Sequence, residues 1–271
     1  MSRELRSREG LATRRHFLAT VGAAGVGLAF ADQLLAGNGL TPPPSSGSAP
    51  GPAGVPNDGA SQFAAIPGPT SINTKVLNFA LSLEILEADL YRQALNIASN
   101  KPVAAPLNSN PATYTRQVGT GGLTTQAANV GFLYLQQFAY VEAAHRDFLK
   151  SQLGGGNPLV PAAGKYKFPG PVSGNIAAIL GALLPLEETG VRAYLGALPY
   201  LTDLNLAAVA GGIYSTECRH SAAIEYILGI DPGPAPRSGD LRVTPIYPAP
   251  NTFEYYLKPS TVIQAVGQFF A

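Results

Sequence analysis

The sequence predicts an all-α protein built on a four-helix bundle. Four long segments between residues 71 and 229 carry the 3.6-residue apolar period of a helix. Strand alternation is weak throughout, and the 30 glycines and 24 prolines gather in segments outside the helices. A 271-residue chain that is 46% hydrophobic and 13% charged can bury a sizeable core, which excludes disorder of the whole chain. A single cysteine excludes a disulfide framework and a cysteine-based zinc site. The formal net charge of +1 gives no reason to invoke nucleic acid.

Residues 1–31 read as an address, separate from the fold. Arg14-Arg15 precede His16-Phe17-Leu18 and an uncharged run from Ala19 to Ala31, which resembles a twin-arginine export signal. Ala29-Phe30-Ala31 offers a cleavage site. The run falls short of the ~20 apolar residues that span a bilayer, so no stable membrane insertion is expected after signal removal. The expected location is periplasmic or secreted. Without the signal the chain keeps 13 basic and 15 acidic residues. This export route carries proteins already folded, which suits a cofactor inserted in the cytoplasm. Cys218 lies far from the signal and so offers no lipid attachment point there. Residues 32–70, rich in Pro, Gly and Ser, form a linker.

The bundle occupies residues 71–229. The first helix, 71–98, sets Lys75, Asn78, Ser82, Asp89 and Gln93 opposite Leu77, Ala80, Leu81, Leu83, Ala88, Tyr91 and Leu95. The second runs from about Leu123 to Leu153, where Gly154-Gly155-Gly156 ends it. The third starts near Ser173 as N-cap and ends before Pro199, with Pro185 expected to kink it or break its hydrogen bonding locally. The fourth spans Asp203, a good N-cap, to Gly229. A short connection makes the third and fourth antiparallel neighbours, while the one before the third is long enough to cross the bundle. The tail, 230–271, is expected to pack on the bundle, with one short helix over 260–270 and a clasp at Phe253-Glu254-Tyr255-Tyr256.

The chemistry lies in where the acids fall. Glu142 and His145 share one face of the second helix, among Leu135, Phe138, Ala139 and Leu149. Glu217 and His220 repeat that spacing on the fourth, among Ala210, Ile213, Tyr214 and Ile224. Glu187 and Glu84 stand on the apolar stripes of the third and first. A buried ionised carboxylate without a partner costs several kcal/mol. Arg146 and Arg192 could serve one or two; a pair of divalent ions would balance all four, with neutral imidazoles completing the set. Outside the signal both histidines, His145 and His220, sit in Glu-x-x-His. Chance gives one such match in roughly 3% of cases and both in about one in a thousand, so coincidence is the poorer account. Carboxylate and imidazole together suit iron and manganese.

A repeat underlies the pattern. Tyr91 follows Glu84 by seven residues, and Tyr194 follows Glu187 by seven, so each tyrosine stands two turns along its glutamate's stripe. Both are read as core tyrosines whose hydroxyls need a partner. Glu87 and Glu188 compete for the positions given to Glu84 and Glu187, and only the spacing to tyrosine favours Glu84 over Glu87. Cys218 is read as a small core residue beside the site.

The segments LNFALSLEILEADLYRQAL, EAAHRDFL, LEETGVRAYLGA and STECRHSAAIEYILG resemble the exported ferritin-like domain family, which includes plant desiccation-related proteins. The resemblance covers about residues 72–230. It implies a ferritin-like bundle and two divalent metal ions, iron or manganese, held by Glu84, Glu142, His145, Glu187, Glu217 and His220. It also implies that Glu142 and Glu217 bridge both ions while the other two glutamates bind terminally. The expected activity is reaction with dioxygen or hydrogen peroxide, as a ferroxidase, peroxide scavenger or catalase, with an electron donor that the sequence does not identify. The contrasting expectation is a non-catalytic stress or desiccation protein whose metal stiffens the bundle or is absent.

Overall fold

The computed structural model describes Phe63 and residues 71–154, 166–168, 170, 172, 174–230, 232, 254 and 256–270. The signal, most of the linker and much of the tail therefore lie outside the described residues. Among those described stand five α-helices: α1 (Ile72–Ala98), α2 (Thr125–Gln152), α3 (Ile176–Ala197), α4 (Leu204–Leu228) and α5 (Pro259–Val266). No strand occurs among them, only isolated bridges from Gly119 to Asn175 and from Tyr166 to Phe270. None of these helices is long and apolar enough to cross a membrane.

Local chemistry sets the helix ends. Thr124 caps α2 by accepting from the Ala127 amide at 3.1 Å. Asp203 caps α4 by accepting from the Asn205 and Leu206 amides, and Gly229, at φ 73°, ends it in the left-handed region. For α3 the expected cap is displaced. Asn175 accepts from the Ala178 amide at 2.7 Å, whereas Ser173 lies outside the described residues. The 2.8 Å and 2.9 Å bonds joining Gly119 to Gly174 and Ile176 fix the backbone there, so α3 begins two residues later than read. The helix continues through Pro185, which lacks the N–H that would bond the Gly181 carbonyl, so its hydrogen bonding is locally broken as expected.

End-to-end contacts give the topology. The Ala98 carbonyl accepts from Gln117 and the 119 backbone pairs with 174–176, so the end of α1 and the starts of α2 and α3 share one pole. Asn73 pairs with Thr202 at the other pole, where α1 begins, α3 ends and α4 starts. The order is up, down, down, up, and the chain between α2 and α3 returns along the bundle's length, the single long crossover of ferritin-like bundles. Tyr166 stands on that path, its carbonyl accepting from Gln93 at 2.9 Å.

The polar side of α1 faces protein, not water, although its sequence reads as amphipathic. Asn78, Ser82, Asp89, Gln93 and Asn96 are all buried. Arg92 pairs with Asp89 at 2.6 Å and donates to the carbonyl of Ala105, as does Asn96. The carbonyls of Val103 and Ala105 in the α1–α2 connection, and that of Tyr166, thus cover part of this polar side. Phe63 is buried at its start, edge-on to Phe79.

The tail docks on α3. Leu257 donates to the Arg192 carbonyl at 3.0 Å, and Val262 and Val266 of α5 are buried. Gly196 makes this approach possible, because a Cβ there would sit 2.2 Å from the Leu257 carbonyl oxygen. Gly196→Ala should therefore lift the tail from α3 and cost about 1–3 kcal/mol. A lower unfolding midpoint with faster proteolysis after residue 230 would show this; an unchanged melt would refute it.

Candidate metal centre

The structure brings all six predicted residues together. Glu84 comes from α1, Glu142 and His145 from α2, Glu187 from α3, and Glu217 and His220 from α4. They form two overlapping quartets, Glu84–Glu142–His145–Glu217 and Glu142–Glu187–Glu217–His220, each with ligand atoms within 4.8 Å of one another. Glu142 and Glu217, the glutamates of the two Glu-x-x-His motifs, belong to both. The four carboxylates are fully buried.

Within the cluster His145 Nδ1 pairs with Glu142 Oε2 at 3.2 Å, but most of the other converging atoms do not satisfy one another. His220 Nδ1 lies 2.9 Å from Glu142 Oε1, yet the pair lacks hydrogen-bond geometry and neither atom has a hydrogen-bond partner among the described residues. The same holds for Glu84 Oε2, Glu187 Oε2 and both oxygens of Glu217. Buried polar atoms are almost always paired, so lone pairs gathered on common points are the arrangement a cation would complete. Carboxylate oxygens with one imidazole nitrogen per quartet are donors that fit iron and manganese.

The two candidate arginines serve elsewhere. Arg146 pairs with Asp147 at 2.8 Å, and Arg192 with Glu188 and Glu254. Glu188 also accepts from Ser221. That separates it from Glu187: it faces a cavity of about 230 Å³ on the outer side of α3 and α4, also lined by Tyr214, Cys218 and Glu225. Cys218 is half-buried there, outside both quartets. Glu84 and Glu87 separate likewise, since only Glu84 joins a quartet.

Each tyrosine serves the opposite helix. Tyr194 of α3 donates to Glu84 of α1 at 2.5 Å, and Tyr91 of α1 donates to Glu187 of α3. Because α1 and α3 run antiparallel, equal seven-residue spacings set each hydroxyl beside the other helix's carboxylate. Burial, then the paired glutamate, holds both phenols well above their ordinary range, so they remain donors. Phe138 stacks on the His220 ring at 3.8 Å between centroids.

With protein charges alone, the imidazoles must act as the cations. Burial opposes this, but Glu142, Glu217 and Glu84 raise His145 far above its usual range, and Glu187, Glu142 and Glu217 raise His220 to about 12. Burial would push Glu142 up, yet the two imidazoles hold it at about 2. Glu217 is pushed well up by burial and by Glu142. Glu87, also buried, is pushed well up by burial and by Glu217, Glu187 and Glu84.

An all-helical bundle with one long crossover and a buried cluster of four glutamates and two histidines defines the ferritin-like class. The sequence profile of that family, the ferritin-like domain, matches residues 72–229, so the chain belongs to it. No curated protein matches the chain.

Two outcomes follow. In the absence of cations the surrounding carboxylates favour protonated imidazoles, each of which must lose a proton to coordinate. Divalent metal uptake should therefore release at least two protons, those of the imidazoles and any held by Glu217, and weaken as pH falls. Calorimetry in buffers of different ionisation enthalpy measures this, and uptake without proton release would refute it. Tyr194→Phe removes the bond to Glu84 and should lower stability by about 1.5–3 kcal/mol in chemical denaturation.

Proposed function

We propose that this chain is an exported metalloprotein that binds two divalent ions, iron or manganese, and reacts with dioxygen or hydrogen peroxide. The observation that carries the reading is the pair of buried quartets sharing Glu142 and Glu217, with both candidate arginines engaged elsewhere. Glu84 and His145 would hold one ion, Glu187 and His220 the other, and the shared glutamates both. Such a pair, when bound, supplies redox equivalents and Lewis acidity at two adjacent positions. The Arg14-Arg15 segment supports the exported location.

The chain's own residues shape that chemistry. Tyr91 and Tyr194 orient Glu187 and Glu84, as outer-shell donors do in metal sites. Phe138 shields the His220 ring from water. The side chain of His145 is 14% exposed while that of His220 is 4% exposed, so a small oxidant approaches from the His145 side.

Purified protein should contain close to two equivalents of iron or manganese, and its reduced form should consume dioxygen or peroxide. Glu142→Ala should lower turnover by roughly 100-fold or more while keeping most of the helicity, because it removes a shared ligand. Metal that raises the melting temperature without any turnover would instead establish the non-catalytic, stress-protective reading.

A further inference from the structure

Glu87 is a buried acid that the six-residue site leaves unused. It lies on α1 one turn beyond Glu84, is 3% exposed, and its Oε2 has no hydrogen-bond partner among the described residues. Across from it stands Gly190 of α3. A Cβ at that position would lie 3.3 Å from Glu87 Oε1 and 3.7 Å from Glu217 Cγ. The Glu87 carboxyl group therefore rests on bare α3 backbone, beside the side chain of a shared quartet glutamate.

The internal repeat makes this placement specific. Glu84 corresponds to Glu187 and Tyr91 to Tyr194, so the position equivalent to Glu87 is Gly190. The two halves of the site match at glutamate, histidine and tyrosine and differ here, an acid on one side and the absence of a side chain on the other. The missing side chain makes room for the extra acid. Arg146 and Arg192 are engaged elsewhere.

Five buried carboxylates thus lie close enough for Glu87 to feel the charge of the other four. A divalent pair of ions balances four of them, whereas a trivalent pair carries six positive charges and leaves the four ligand carboxylates short. Unmatched buried charge costs several kcal/mol per ion, so the charge count decides which cations the pocket favours. We propose, resting on the di-metal reading above, that Glu87 is a fifth carboxylate of the centre that raises its affinity for trivalent relative to divalent cations. It stands outside both quartets and is a positioning residue: bound cations favour its ionised form, and it acts on them through that charge and its seat near Glu217.

The test compares the full chain with Glu87→Gln after iron loading, by titrating the midpoint potential of the Fe3+/Fe2+ couple. Gln keeps the shape of the neutral acid and removes only the ionisable oxygen. The ratio of Fe3+ to Fe2+ affinity should fall at least about tenfold, a rise of about 59 mV for a one-electron couple. Competition with redox-inert ions should agree, Ga3+ binding weakening while Zn2+ binding holds. Gly190→Ala crowds the same carboxyl group and should alter the ferric spectrum and raise the potential, giving a second route should the first variant fold poorly. Unchanged potentials and an unchanged Ga3+ to Zn2+ ratio would overturn the proposal. A wild-type chain that takes up none of these ions would instead overturn the di-metal reading beneath it.

Discussion

Four carboxylates in the interior of a hydrocarbon bundle are the constraint on which the rest of this structure depends. Left ionised and unmatched they would unfold it, since each costs several kcal/mol and a domain's whole margin is about 5–15 kcal/mol. The chain does not neutralise them with Arg146 or Arg192, which pair with Asp147 and with Glu188 and Glu254. It surrounds them with two imidazoles and two tyrosine hydroxyls and leaves several lone pairs aimed inward. Each of the four long helices supplies one glutamate, so the cluster ties the bundle together at one level. Leu135, Ile179, Leu180 and Leu183, all fully buried, complete the apolar core in which those charges sit.

The arrangement is close to two-fold. The hairpin of α1 and α2 repeats in α3 and α4, and the two tyrosine–glutamate bonds are reciprocal across the α1–α3 contact. The departures give the halves different tasks. His145 meets solvent while His220 lies under Phe138, and Glu87 faces Gly190 where symmetry would set a second acid. A pair of ions held here would occupy unlike positions, one nearer the outside and one nearer the extra negative charge.

Much of this was legible in the residue order because the costly placements are local in sequence. Glu-x-x-His declares its own geometry on a helix, and Asp203 and Gly229 mark the ends of α4 by their own chemistry. Other features were not legible, because they depend on which helices meet. The seven-residue spacing predicts a tyrosine on its own glutamate's stripe, but its partner on the opposite helix follows only from antiparallel register. Periodicity could not part Glu187 from Glu188, whose fate is decided by Arg192 and Ser221. The polar side of α1 reads as solvent-facing until the loop carbonyls of 103–105 and 166 cover it. At α3 the backbone bridge to Gly119 overrode the better-looking cap at Ser173.

Crystals of the full chain grown with Mn2+ and examined by anomalous scattering would test the central claim most directly. The account predicts two peaks inside the bundle, each between one glutamate–histidine pair and both shared carboxylates, Glu142 and Glu217. Glutamates turned outward to solvent, or manganese bound only at the surface, would contradict it.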